Sequence, residues 1–134
     1  MAGLIHALGP RRVLGVDCGA IPGPGGVIAE LVERLSGGSK VAELRLRYDQ
    51  VGDGYSSLTP HAQHAILIAA RTEGIVLDPV YTGRAMAGLI AAVRDGDIVP
   101  GHQTVFVHTG GLPGLFGHPS ALAWVQHELS KPGR

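Results

Sequence analysis

RVLGVD, residues 12–17, is a short apolar run between the breaker Gly9-Pro10 and the loop Ala20–Gly26 (AIPGPGG). An apolar run of this length bounded by turn residues fits a buried strand of a parallel sheet. Past the loop the spacing turns helical. Val27, Leu31 and Leu35 lie four apart on one face, and Gly37-Gly38 stops the helix. Strand, loop and helix in this order make one unit of an alternating α/β chain. Upstream, Met1–Leu8 reads as a short uncapped helix.

The alternation continues downstream. Glu43–Tyr48 (ELRLRY) alternates charged and apolar side chains and predicts a half-buried or edge strand. Gly52-Asp53-Gly54-Tyr55 is a turn. Thr59-Pro60 pairs an N-cap with a first-turn proline and opens a helix to about Thr72, with Gly74 as its stop. Ile75–Leu77 is a short apolar run closed by Asp78-Pro79. A further helix covers Thr82–Arg94 and stops at Gly96. Thr104–His108 (TVFVH) is the best strand after the first, followed at once by Thr109-Gly110-Gly111 and a helical turn at Leu112–Phe116. Ser120 is expected to cap a last helix through about Leu129. The pattern predicts one α/β domain, a three-layer αβα arrangement around a mainly parallel sheet. In such sheets ligands sit at the carboxyl ends of strands, which directs attention to the loops after Asp17 and His108.

Composition narrows the function. Eleven basic residues balance eleven acidic ones in 134 residues, so no electrostatic case exists for nucleic acid or an anionic membrane. No apolar run is long enough to span a bilayer. The single cysteine, Cys18, has no internal disulfide partner, which fits a reducing compartment. The N-terminus lacks the basic and apolar regions of a signal peptide. A cytoplasmic location is the expectation.

Several stretches hold chemistry. Thr109-Gly110-Gly111 follows a strand and precedes a helical turn, so its amides and the Thr109 hydroxyl could meet an acceptor; a plain tight turn reads as well. Gly23-Pro24-Gly25-Gly26 opens like a dinucleotide fingerprint, but Ile28 replaces the last glycine and two prolines remove donors, so a structural loop is favoured. His61 and His64 share a helix without further metal ligands at zinc-like spacing. His108 stands beside the glycine turn. Tyr55 and Tyr81 each follow a turn and are candidates for a site at the sheet edge, against the plainer role of a tyrosine bonded to main chain.

Three segments in order also resemble a known family. Asp78-Pro79-Val80-Tyr81-Thr82-Gly83-Arg84-Ala85-Met86-Ala87-Gly88-Leu89 resembles D-P-V-Y-[TE]-G-[KR]-x-M-x-G-[LM], and Phe106–Gly111 resembles F-x-H-[TL]-G-G. Gly52-x-Gly54-Tyr55 is similar to G-x-G-Y-G, with Ser56 in place of the last glycine. The family is that of D-cysteine desulfhydrase and aminocyclopropane-carboxylate deaminase, pyridoxal-phosphate (PLP) enzymes of the tryptophan-synthase-β-like fold type II. The resemblance implies Tyr55 and Tyr81 as catalytic residues and Thr82, Thr109, Gly110 and Gly111 on the cofactor side. Thr109 matches the contact to the pyridine nitrogen. Threonine at both 82 and 109, where the deaminase branch has glutamate and leucine, is more similar to the desulfhydrase branch. The implied partner is a small amino-acid substrate, D-cysteine, split to pyruvate, hydrogen sulfide and ammonia; aminocyclopropane-carboxylate is the alternative.

One requirement is unmet. The family holds PLP on a lysine. The chain has only Lys40, in the loop Gly37–Lys40, and Lys131, beside Pro132 and Gly133. The resemblance places the lysine motif and the phosphate loop ahead of the matching segments. The expectation is an incomplete large domain, with an exposed apolar edge at strand Arg12–Asp17. An N-terminal half or a homodimer partner would then complete it. The rival expectation is a non-catalytic remnant or a small-ligand or partner-binding α/β module.

Overall fold

The computed structural model describes residues 1–41 and 43–131; Pro132 and Gly133 lie outside the described residues. The chain is mixed α/β and mostly helical. Helix α1 (Ala2–Leu8) leads through a 3-10 turn at Pro10–Arg12 into strand β1 (Leu14–Val16). Then follow α2 (Pro24–Leu35), β2 (Arg45–Arg47), α3 (Pro60–Glu73), α4 (Thr82–Arg94), α5 (Leu112–Gly117) and α6 (Pro119–Ser130). β1 and β2 pair in parallel, with Leu14 opposite Arg45, Gly15 opposite Leu46 and Val16 opposite Arg47. Among the described residues no helix is long and apolar enough to cross a membrane.

Local chemistry fixes the helix ends. At α3 the Thr59 hydroxyl accepts from the Ala62 amide at 3.1 Å, Pro60 takes the first position, and Gly74 closes the helix in the left-handed region at φ 67°. α6 starts two residues earlier than expected. Pro119 occupies its first turn, so the cap falls on His118, whose Nδ1 accepts from the Ala121 amide at 3.3 Å. Ser120 lies inside the helix.

Two apolar clusters hold these elements. Ile5, Val13 and Val32 join α1, β1 and α2, with Met1, Ile28 and Leu44 packed around them. Ile66, Ala69 and Leu77 form the second, under Met86, Phe106 and Trp124. α3 and α4 pack together, with Gly83 of α4 against Ile66 of α3, and their buried positions are rich in small residues: Ala62, Ala65 and Ala69 on α3, Gly83, Ala87 and Ala91 on α4. Gly88 brings α4 directly onto β1, since a Cβ there would fall on the Val16 side chain.

One expected strand is not formed. Thr104–His108 has no regular secondary structure, and neither has the apolar run Ile75–Leu77. Burial nevertheless alternates along the first run from Val105 to Val107. Phe106 packs on the second cluster, while Val105 and Val107 are 84% and 53% exposed. Side-chain period alone does not make a strand; the backbone needs a neighbour to pair with, and among the described residues this run pairs with neither β1 nor β2. Val105, Val107 and Phe116 are among the exposed apolar side chains, whereas the β1 residues are half-buried.

Arg47, at the end of β2, ties the sheet to the C-terminal end of α4. Its guanidinium reaches Asp49 at 2.7 Å, Asp95 at 2.6 Å and Asp97 at 3.4 Å. The hydrogen bond from Arg47 holds the Asp49 carboxyl down at about 2. A depressed carboxylate stabilises the fold fully above its unfolded value of about 3.9 and loses that effect as pH falls through its folded value. NMR titration should place Asp49 at about 2 in the native chain. In Arg47→Gln it should return to the ordinary carboxylate range. Because these carboxylates face solvent, the stability cost of that change should be about 1 kcal/mol or less.

Candidate functional site

Asp78 organises the site. It is 1% exposed, yet both its oxygens are occupied. Oδ2 accepts from the amides of Val80 (2.9 Å) and Tyr81 (2.8 Å). Oδ1 accepts from the Thr82 amide and the Thr82 hydroxyl, both at 2.7 Å. Thr82 Oγ1 in turn accepts from the Asp78 amide at 2.9 Å. Burial alone would push this carboxyl up. The Thr82 hydroxyl and the amides of Tyr81, Thr82 and Val80 outweigh it and hold the group below its usual range. A carboxylate with its lone pairs committed in this way is a poor general base. Its role is to seat the N-terminus of α4, where a negative charge suits the helix dipole.

Seating α4 sets Tyr81 at the rim. Its hydroxyl is in direct hydrogen-bond contact with the hydroxyl of Tyr55, and the rings meet edge to face with centroids 5.9 Å apart. Both residues are about half exposed. The bond to Tyr55 pushes the Tyr81 phenol above its ordinary value. The raised phenol of Tyr81 keeps its proton at neutral pH, and the two adjoining hydroxyls set a donor and an acceptor at the rim.

The two tyrosines border a cleft of about 730 Å³, whose wall includes Asp78, Gly111, Gly114 and His118. Gly111 presses on the Asp78 carboxylate so closely that a Cβ would overlap it. A smaller recess of about 310 Å³, bordered by Asp49, Gln50 and Asp53, contains neither tyrosine.

The residues expected from sequence divide into groups. Tyr55, Tyr81 and Gly111 share the cleft wall. Thr82 is buried behind Asp78 and is spent on it. Thr109 and Gly110 are exposed in the turn just outside. His108 serves the turn: its Nδ1 accepts from the Gly110 amide at 3.3 Å, which leaves Nε2–H to donate to the Val76 carbonyl at 3.1 Å.

Two residues on or behind the wall were not anticipated. His118 caps α6 through Nδ1 and donates through Nε2 to the Ser56 carbonyl at 2.9 Å, tying α6 to the Tyr55 loop. Pro119 was the available signal, because a proline at the first helical position places the cap one residue before it. Arg84, fully buried, reaches main-chain carbonyls on both sides of that loop. It stands inside the quoted Asp78–Leu89 segment, where no role was attached to it.

No lysine borders the cleft among the described residues. Lys40 is exposed in the loop after α2, and Lys131 pairs with Glu128 at 2.5 Å. Among the described residues no three His, Cys, Asp or Glu side chains are grouped to hold a metal ion. The chain matches no protein-family model.

Proposed function

We propose that the chain supplies the tyrosine-bearing part of a PLP-dependent lyase of the D-cysteine desulfhydrase type. One observation carries this reading: three separated segments, Gly52–Tyr55, Asp78–Leu89 and Phe106–Gly111, each put a residue on one cleft, as Tyr55, Tyr81 and Gly111. The substrate would be D-cysteine, with aminocyclopropane-carboxylate as the alternative, in the cytoplasm. The dyad would orient the substrate and hold a proton at the Tyr81 oxygen. Thr109, Gly110 and Gly111 would face the cofactor, with Thr82 supporting them through Asp78. The finer architecture of this proposal is a fold type II, three-layer αβα domain with a mainly parallel sheet.

The residues present do not fit a covalently held PLP, because no lysine borders the cleft. The proposal therefore requires a lysine from outside the 134 residues, on the N-terminal half that the resemblance places ahead of them. The same lysine-free cleft favours a second reading, a non-catalytic module that binds a small ligand.

Borohydride reduction with PLP, followed by peptide mapping, should give no specific adduct on Lys40 or Lys131. Joining the chain behind the lysine-bearing N-terminal half of a D-cysteine desulfhydrase should give sulfide release from D-cysteine that Tyr81→Phe lowers at least tenfold. A folded, PLP-loaded fusion that releases no sulfide would leave the binding-module reading standing.

A further inference from the structure

Arg84 is the one cation buried completely among the described residues. A charge with no exposure is costly unless its donors are matched. Here main chain matches the two terminal nitrogens, while Nε has no hydrogen-bond partner. Nη1 donates to the Cys18 carbonyl at 2.5 Å. Nη2 donates to the carbonyls of Gly54 (2.7 Å) and Ser57 (2.6 Å), with a longer contact to Tyr55 at 3.2 Å. Its acceptors thus bracket Tyr55, and they come from two loops that share no secondary structure. Arg84 itself stands on the first turn of α4, one turn from Tyr81. One planar guanidinium fork therefore fixes the Tyr55 loop relative to the helix that carries Tyr81.

We infer that Arg84 is a positioning residue that assembles the Tyr55–Tyr81 hydroxyl pair. The inference rests on that pair being the working part of the proposed site, and it adds what holds the pair together. Tyr55 stands on a loop without regular structure and its side chain is exposed, so its own packing does not place it. The fork supplies the constraint. Gly54, at φ 134°, gives the loop the left-handed backbone that turns its carbonyl toward Nη2.

The test is a spectrophotometric titration of the three tyrosines, Tyr48, Tyr55 and Tyr81, in the chain without cofactor. In the native chain one phenol should ionise after the others, and Tyr81→Phe should remove that late step. Arg84→Met, checked for fold by circular dichroism, should bring the late step back into the main transition. Ile66→Ala, which weakens the α3–α4 core away from the loop, should leave it in place. If Arg84→Met does not fold, Gly54→Ala decides, because nothing lies within 4 Å of its new Cβ and only the loop backbone is strained. It too should lose the late step. The inference is overturned if the native tyrosines ionise together, or if folded Arg84→Met keeps the late step. It also fails if Gly54→Ala keeps the step when it is the deciding variant, or if Ile66→Ala loses it. Since no PLP is used, absent sulfide release counts against the lyase proposal alone.

Discussion

Asp78→Ala should lower the unfolding free energy by about 3 kcal/mol or more, measured by urea denaturation followed by helix signal. The carboxylate accepts from the amides of Val80, Tyr81 and Thr82 and from the Thr82 hydroxyl. Hydrogen bonds to a charged group contribute about 1.5–3 kcal/mol each, and they do not add in full. Water is a poor substitute, because Leu77, Pro79 and Val80 bury the same stretch. The damage should spread, since α4 packs on both α3 and β1. Against a total stability of about 5–15 kcal/mol for a domain, a loss of this size moves the midpoint far. Asp78→Asn keeps the shape and one acceptor oxygen, so it should cost about half as much, though the charge is gone. Acid should act in the same direction as these variants. The folded carboxyl lies below its usual range, so its stabilisation is complete above about pH 3.9 and is lost as pH falls through the folded value. In Asp78→Asn that part of the acid sensitivity should disappear. An Asn variant as stable as the native chain would mean that the charge does not seat the helix.

What could be read from sequence follows how far each interaction reaches along the chain. α3 was legible at both ends because its cap, its proline and its stop glycine are local: Thr59, Pro60 and Gly74 need no distant partner. The limits of α4 were equally plain, though the device that seats it was not. Asp78 reads in sequence as part of an Asp-Pro breaker, and only the fold turns its carboxylate back onto three following amides. Strands are harder, because pairing is non-local. The runs at Arg12–Asp17 and Glu43–Tyr48 found each other; Thr104–His108, read as the better strand of the last two, found no neighbour. The same divide runs through the site. Tyr55 and Tyr81 stood out as tyrosines after turns, but only the resemblance gave them a shared role. Their meeting depends on Arg84, whose acceptors lie 66, 30, 29 and 27 residues away and are carbonyls that any residue type could offer. No spacing or composition marks such a clasp. His118 is the intermediate case: Pro119 predicts that something caps there, but the bond to Ser56, 62 residues back, is visible only in the fold.

Gly111→Ala should cost about 3 kcal/mol and disturb the cleft as well as the stability. Two terms act together. Gly111 sits at φ 98°, where a non-glycine residue is strained by about 1–3 kcal/mol. Its new Cβ would also overlap the Asp78 carboxylate. That neighbour cannot swing aside cheaply, because moving it breaks its bonds to the first turn of α4. Gly110→Ala separates the terms. Gly110 is at φ 116° with nothing within 4 Å of a built Cβ, so it should show the backbone strain alone. Urea denaturation of the two variants should therefore differ by about 1 kcal/mol or more, with Gly111→Ala the weaker. The steric part should vanish in the Asp78→Ala background, where the obstructing carboxylate is absent. A double-mutant cycle should then give a coupling of about 1 kcal/mol or more, in the range found for residues in contact. Strict additivity would mean that the turn yields without touching Asp78, and that Gly111 is needed only for its backbone. Measured coupling would show instead that the glycine turn and the seat of the Tyr81 helix form one mechanical unit, so that a ligand displacing the turn would also shift the dyad.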